Sequence, residues 1–176
     1  MKKFLAIVVA LILALTLTAA MAEAAPELNW SDIEPALEAG GVAGQFYTFD
    51  EIAVKIWLPE GFNPVELTQE DVDAGYIGYF QPEDQSATVA IMYVNVDGMT
   101  IDDYAESLST MEDVTEVKKG TVNGLPCVNY QMPEQDSLSI AFATEAGYML
   151  ELTCVPMSEE NADLVWGAVI ASIQAA

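Results

Sequence analysis

Residues 114–155 read VTEVKKGTVNGLPCVNYQMPEQDSLSIAFATEAGYMLELTCV, and this stretch decides the fold. Apolar side chains recur at every second position, which predicts strands at about 114–122, 125–132, 137–144 and 148–155. Asn123-Gly124 joins the first two, because both residues tolerate the positive φ of a type I′ turn. Residues 133–136 and 145–147 supply the next two turns. Strands joined by turns this short must run antiparallel.

Upstream, Ala87 to Val96 places Thr88, Ala90, Met92, Val94 and Val96 on one face and Val89, Ile91 and Tyr93 on the other. Both faces are apolar, so this strand is expected to be buried on both sides. Tyr76 to Gln81 pairs with it around Pro82 to Ser86, and an earlier hairpin sets Phe46–Phe49 against Ile52–Leu58 across Asp50-Glu51. Pro59 to Pro64 is punctuation.

Helices are marked by their caps. Ser31 to Glu34 reads as a capping box for a helix ended by Gly40 and Gly41, and Thr68 to Asp71 caps one turn before Gly75. Thr100 opens a third helix, with Asp102 and Asp103 at its positive dipole end and Ile101, Tyr104, Ala105, Leu108 and Met111 on its core face. After Pro156, Ser158 caps a last helix, with Glu159 and Glu160 in its first turn and Ala162, Val165, Trp166, Val169, Ile170 and Ile173 inward. The expected architecture is an α/β (α+β) sandwich, a central antiparallel β-sheet of about six to eight strands covered by helices on both faces.

The first residues follow a different logic. Lys2 and Lys3 precede an apolar run from Phe4 to Leu15 and a small-residue stretch ending Ala20-Met21-Ala22. That order predicts a signal peptide over residues 1–22, a mature chain starting near Glu23, and secretion to an extracytoplasmic compartment. The apolar segment approaches the ~20 residues that span a bilayer, but Thr16, Thr18 and the alanines thin it where a peptidase needs small side chains. Residues 23–176 are expected to form a single domain of ordinary size.

Charge excludes whole classes of partner. With two of five basic residues in the leader, only Lys55, Lys118 and Lys119 face 28 acids, so the mature chain carries −25. There is no arginine or histidine. Nucleic acid is excluded because phosphate binding needs clustered cations, and anionic membrane is excluded likewise. A hydrophobic fraction of 52% still argues for a folded chain rather than an acidic disordered one.

Without histidine, Ser-His-Asp and Cys-His mechanisms and His-ligated zinc are closed. Cys127 and Cys154 are too few for structural zinc and are either buried thiols or a disulfide. In a simple meander they lie on strands two spacings apart, about 9.5 Å, beyond the ~7 Å reach of a bridge, so they are expected to be unpaired. Asn95-Val-Asp97-Gly98 matches the third, fifth and sixth positions of an EF-hand loop, yet its first and twelfth positions fall on Tyr93 and Tyr104, so no metal site is expected. Lys55 and Trp57 alternate onto one strand face as a candidate recognition patch; packing of Trp57 under a helix, with Lys55 reaching water, is the simpler explanation.

The layout resembles the superfamily shared by the photosystem extrinsic protein PsbP and the Ran-binding protein Mog. The resemblance runs from IAVKIWLPEGF (Ile52–Phe62) through YIGYF, ATVAIMYVNV and TIDDYAESL to VNGLPCVNY, SIAFATEAGYMLELTCV and the closing helix ending IASIQ. It implies the sandwich fold and a binding or accessory role, and it brings no functional residue, since no position here matches a residue of either namesake's function.

Two function classes follow. One is an exported acidic binding or accessory module, monomeric or weakly dimeric, that takes a protein, peptide or small ligand and uses no cofactor. The alternative is a small carboxylate-dependent hydrolase, with paired acids as acid and base. The charge has its own consequence: few acids can find cations, so self-repulsion should weaken the fold at low salt. Screening shortens the range of that repulsion from about 30 Å at 0.01 M to about 8 Å at 0.15 M. Repelled carboxylates bind protons more readily when folded, so stability should rise as pH falls toward their pKa values. The melting temperature should therefore rise with sodium chloride, further with millimolar calcium, and between pH 8 and about pH 5. Scanning calorimetry reads all three, and a flat response would show that the acids are already spaced beyond mutual influence.

Overall fold

Asn123 and Gly124 adopt φ of 49° and 77°, the two positive values that the tight turn between Thr115–Val122 and Leu125–Met132 requires. The structure is a computed structural model that describes residues 27–50, 52–144, 147–158 and 162–176. The chain divides into two compact units, one built from residues 61–120 and 125–162, the other from the described part of 1–60 with 121–124 and 163–176. The expected signal peptide lies outside the described residues.

In chain order the elements are β1 (Glu27–Leu28), α1 (Trp30–Gly40), β2 (Gly44–Phe49), β3 (Val54–Pro59), β4 (Asn63–Pro64), α2 (Gln69–Asp73), β5 (Tyr76–Gln81) and β6 (Thr88–Asn95). There follow α3 (Ile101–Leu108), β7 (Thr115–Val122), β8 (Leu125–Met132), a 3₁₀ turn at Pro133–Gln135, β9 (Ser137–Ala143), β10 (Tyr148–Val155), α4 (Ala162–Ala171) and β11 (Gln174–Ala175).

The larger unit holds the strands β7-β8-β9-β10-β6-β5-β4, in that spatial order. β8 to β10 form the expected meander, and β6 then joins β10 antiparallel from Tyr148↔Asn95 to Val155↔Thr88. α3 buries Ala105 and Leu108 on one face of this sheet, against Val128 and Tyr130 of β8, Ala141 of β9 and Met149 of β10. The opposite face is also dry at Ile91, Ile140, Phe142, Leu150 and Leu152. In β6, burial on both sides holds for Val89, Ala90 and Ile91, after which the strand is half-buried. There Tyr93 stacks on Tyr148 at 4.8 Å.

The caps of α2 and α3 form as expected. Thr68 accepts from the Asp71 amide and Thr100 from the Asp103 amide, while each aspartate reaches back to its threonine. Those hydroxyl and backbone donors hold Asp71 and Asp103 below the ordinary carboxylate range, as Ser86 does for Asp84 and Lys118 for Glu116. A depressed folded pKa stabilises above the unfolded value and is lost as pH falls through the folded one. These four acids therefore favour the fold above the ordinary carboxylate value and lose that contribution as pH falls through their lowered values. Met111, expected in the core stripe of α3, is 51% exposed. The helix has already ended at Leu108, where the Ser109 hydroxyl turns back to the Ala105 carbonyl at 2.7 Å.

The smaller unit departs further from expectation. Its hairpin β2–β3 does not join the large sheet but forms a three-stranded sheet in the order β11-β3-β2. The tail β11 pairs Gln174 with Lys55 and Ala175 with Val54. β1 runs parallel to the end of β7, with Glu27 opposite Thr121 and Leu28 opposite Val122, so the eight-stranded sheet is mixed rather than purely antiparallel. Only two residues pair there, too short a signal for periodicity to reveal. α1 starts at Trp30 with Asn29 as its cap residue, ahead of the Ser31 box, and Asn29 makes no side-chain cap bond. A distant residue caps the helix instead, as the Asn123 Oδ1 accepts from the Trp30 amide at 2.9 Å. Gly41 ends the helix in the left-handed conformation, as expected.

In α4, Ala162, Trp166, Val169 and Ile170 are buried, and Ile173 just beyond, whereas Val165 is 37% exposed. The Ser158 hydroxyl donates to Asp136 at 2.7 Å; Glu159 and Glu160 lie outside the described residues. Cys127 of β8 and Cys154 of β10 are buried free thiols with β9 between their strands. Burial pushes the Cys127 thiol up to about 11 and Cys154 higher still.

Asn123 also donates to the Ala171 and Ile173 carbonyls, at 2.7 Å each, so Asn123→Gly keeps the turn but loses three side-chain bonds. At ~1 kcal/mol per bond it should cost about 2–3 kcal/mol in urea unfolding; a neutral result would reduce Asn123 to a turn former. The buried thiols make a separate prediction, because their folded pKa values lie above the ordinary value of 9.0. The unfolded chain therefore loses those protons first as pH rises, and stability should fall from about pH 9 upward. Urea midpoints at pH 8, 9 and 10 test this, and alkylation of denatured, unreduced protein should label both cysteines; no labelling would mean a disulfide.

Candidate functional site

α1 turns a single face inward by helical spacing. Trp30, Glu34, Leu37 and Glu38 fall at i, i+4, i+7 and i+8, so they line up along one side. With Val42, Ala43, Gly44, Phe46 and Trp57 they enclose a groove of about 310 Å³ within the smaller unit.

The groove floor is aromatic. Phe46 on β2 and Trp57 on β3 are cross-strand partners, and Trp30 meets both, edge-on to Phe46 at 5.6 Å and tilted to Trp57 at 5.8 Å. Trp57 is 7% exposed and packs against Leu37 and Ala168. Its amide donates to the buried Ser172 hydroxyl at 2.8 Å, which fixes the strand beneath the ring. Gly44 lets the indole lie so close, because a Cβ there would collide with the Trp57 ring and the Leu58 carbonyl. Phe46 keeps 38% of its surface open, and Glu34 and Glu38 are exposed at the rim.

Lys55 and Trp57 do share a strand face, with Phe46 beside both. Their roles diverge: Trp57 lines the groove, while the Lys55 ammonium sits 5.1 Å from the centre of the Phe46 ring. Trp30, Glu34, Glu38 and Phe46 were not singled out by the sequence. The signal was present in the four-residue spacing from Trp30 to Glu38, but capping and solubility account for acids on a first helix so readily that the spacing carried no information.

In the larger unit, Glu151 accepts from Tyr104 at 2.8 Å. Burial, then the nearby Glu151 charge, push the Tyr104 and Tyr130 phenols well above their ordinary range. Beside them Ser139 and Thr153 share a hydrogen bond at 2.8 Å. These groups satisfy one another beneath α3 and work as core polar contacts. Among the described residues no helix is long and apolar enough to cross a membrane.

No family model and no curated protein matches the sequence. Among solved structures the chain is similar to the solution structure of cyanobacterial PsbP (CyanoP) from Synechocystis sp. PCC 6803, with a TM-score of 0.55 at 13% identity over 77% of this chain and 94% of that one. It is also similar to a crystal structure from Bacteroides thetaiotaomicron VPI-5482, with a TM-score of 0.50 at 14% identity over 76% of this chain and 48% of that one. The chain thus spans about half the length of the Bacteroides protein. Identities this low transfer shape and leave residue roles open. At the level of shape the resemblance read from the sequence holds, and the chain has a PsbP-like fold.

Proposed function

We propose that this protein is an exported acidic binding or accessory module, without catalytic activity, whose ligand seats in the groove formed by α1, β2 and β3. The observation that carries this reading is the groove itself: three aromatic rings held on a rigid hairpin and helix, with Phe46 open to solvent. Apolar concavities with a few polar groups at the rim are the common form of a ligand site. The resemblance to PsbP and Mog supports an accessory role. A net charge of −23 disfavours nucleic acid and anionic membrane as partners and favours a monomer or weak dimer.

A neutral fluorescent probe tests the groove without charge effects. N-phenyl-1-naphthylamine should bind the full chain saturably at one site, with enhanced emission. Phe46→Ser should weaken that binding about tenfold by removing the exposed ring. Leu125→Ser, which alters an exposed apolar residue in the other unit, should leave it unchanged. Absence of saturable binding, or an equal loss in both variants, would refute the groove as a ligand site.

A further inference from the structure

Glu34 and Glu38 stand one helical turn apart, both line the groove, and both are exposed. No basic residue is among the lining side chains. Glu34 and Glu38 line the same groove as Trp30, Phe46 and Trp57, and carboxylates and aromatic rings both attract a cation. A cation–π contact is already made within the protein at one of these rings, where the Lys55 ammonium, outside the groove lining, sits 5.1 Å from the Phe46 centroid. Resting on the groove reading above, we infer that the groove selects a small organic ammonium ion over an uncharged molecule of the same shape.

Size decides between a small molecule and a polypeptide. A volume of about 310 Å³ stands at the lower end of the ~300–1,000 Å³ range of small-molecule sites, enough for a trimethylammonium head and a short chain. Simple metal cations are a poor match, since they hold their water tightly and two rim carboxylates fall well short of the ~6–8 oxygens that calcium takes. The surplus of acids over the whole chain adds attraction at long range and no selectivity between cations. Selectivity therefore has to come from the rings together with the two glutamates.

Choline and its carbon isostere 3,3-dimethylbutan-1-ol differ in the charged centre, so they isolate the inference. In competition with bound N-phenyl-1-naphthylamine on the full chain, choline should displace the probe at a concentration about tenfold below that of the isostere. Sodium chloride at matched ionic strength should not displace it. Glu34→Gln with Glu38→Gln, both at exposed positions that leave packing untouched, should weaken choline about tenfold and the isostere not at all. Equal potency of the two competitors, a double variant that binds choline like wild type, or displacement by neither while the probe still binds would overturn the ammonium inference and leave the groove standing. Failure of the probe itself to bind would remove the groove reading and this inference with it.

Discussion

The Asn123 side-chain amide ties together the parts of the smaller unit that no sheet joins. One oxygen receives the first amide of α1, and one nitrogen reaches the last carbonyls of α4 and the residue that leads into β11. Its backbone amide adds a bond to the Leu28 carbonyl, which ends β1. Three stretches remote in sequence, 28–30, the 123–124 turn and 171–173, thus meet at one residue. A half-buried amide can serve all of them only because it presents a donor and an acceptor from the same planar group. The groove inherits this dependence, since Trp30 begins the helix that Asn123 anchors.

Legibility in the sequence followed the range of the interaction. The larger unit was readable almost residue by residue, because strands with period two, turn residues with positive φ and threonine caps are local statements. The smaller unit was not. Its two-residue strands β1 and β11 are too short to show a period, as is β4 in the larger one. The start of α1 depends on a partner 93 residues away, and the Ser31 box lost to that partner. The hairpin β2–β3 pairs with β11 in a sheet of its own, a choice that alternation alone does not encode. For the site, Trp57 was legible as an aromatic sharing one strand face with Lys55, whereas Glu34 and Glu38 were hidden among 28 acids with nothing to distinguish them.

The fold likeness and the groove answer different questions. Shared topology with CyanoP at 13% identity reports that this chain solves the same packing problem with other side chains. The groove is specific to particular residues: Gly44 must lack a side chain for Trp57 to lie where it does, and Ser172 must hold the Trp57 strand. A side chain at Gly44 would collide with the Trp57 ring and so alter the groove floor. Function on such a scaffold follows local residues more closely than the shape of the whole.

The position of β2 at the end of the three-stranded sheet bears on colloidal behaviour. Gly44 to Phe49 reads GQFYTF and contains no charge and no proline, which are the usual guards of a strand edge against pairing with a second molecule. Net charge supplies a guard of another kind: copies carrying so many like charges repel one another before edges can meet. Such a guard operates only over the Debye length, so it weakens in the same salt that is expected to steady each folded chain. On that expectation individual stability and mutual repulsion are opposed in one variable, and the ionic strength that best preserves a dilute solution is higher than the one that best preserves a concentrated one.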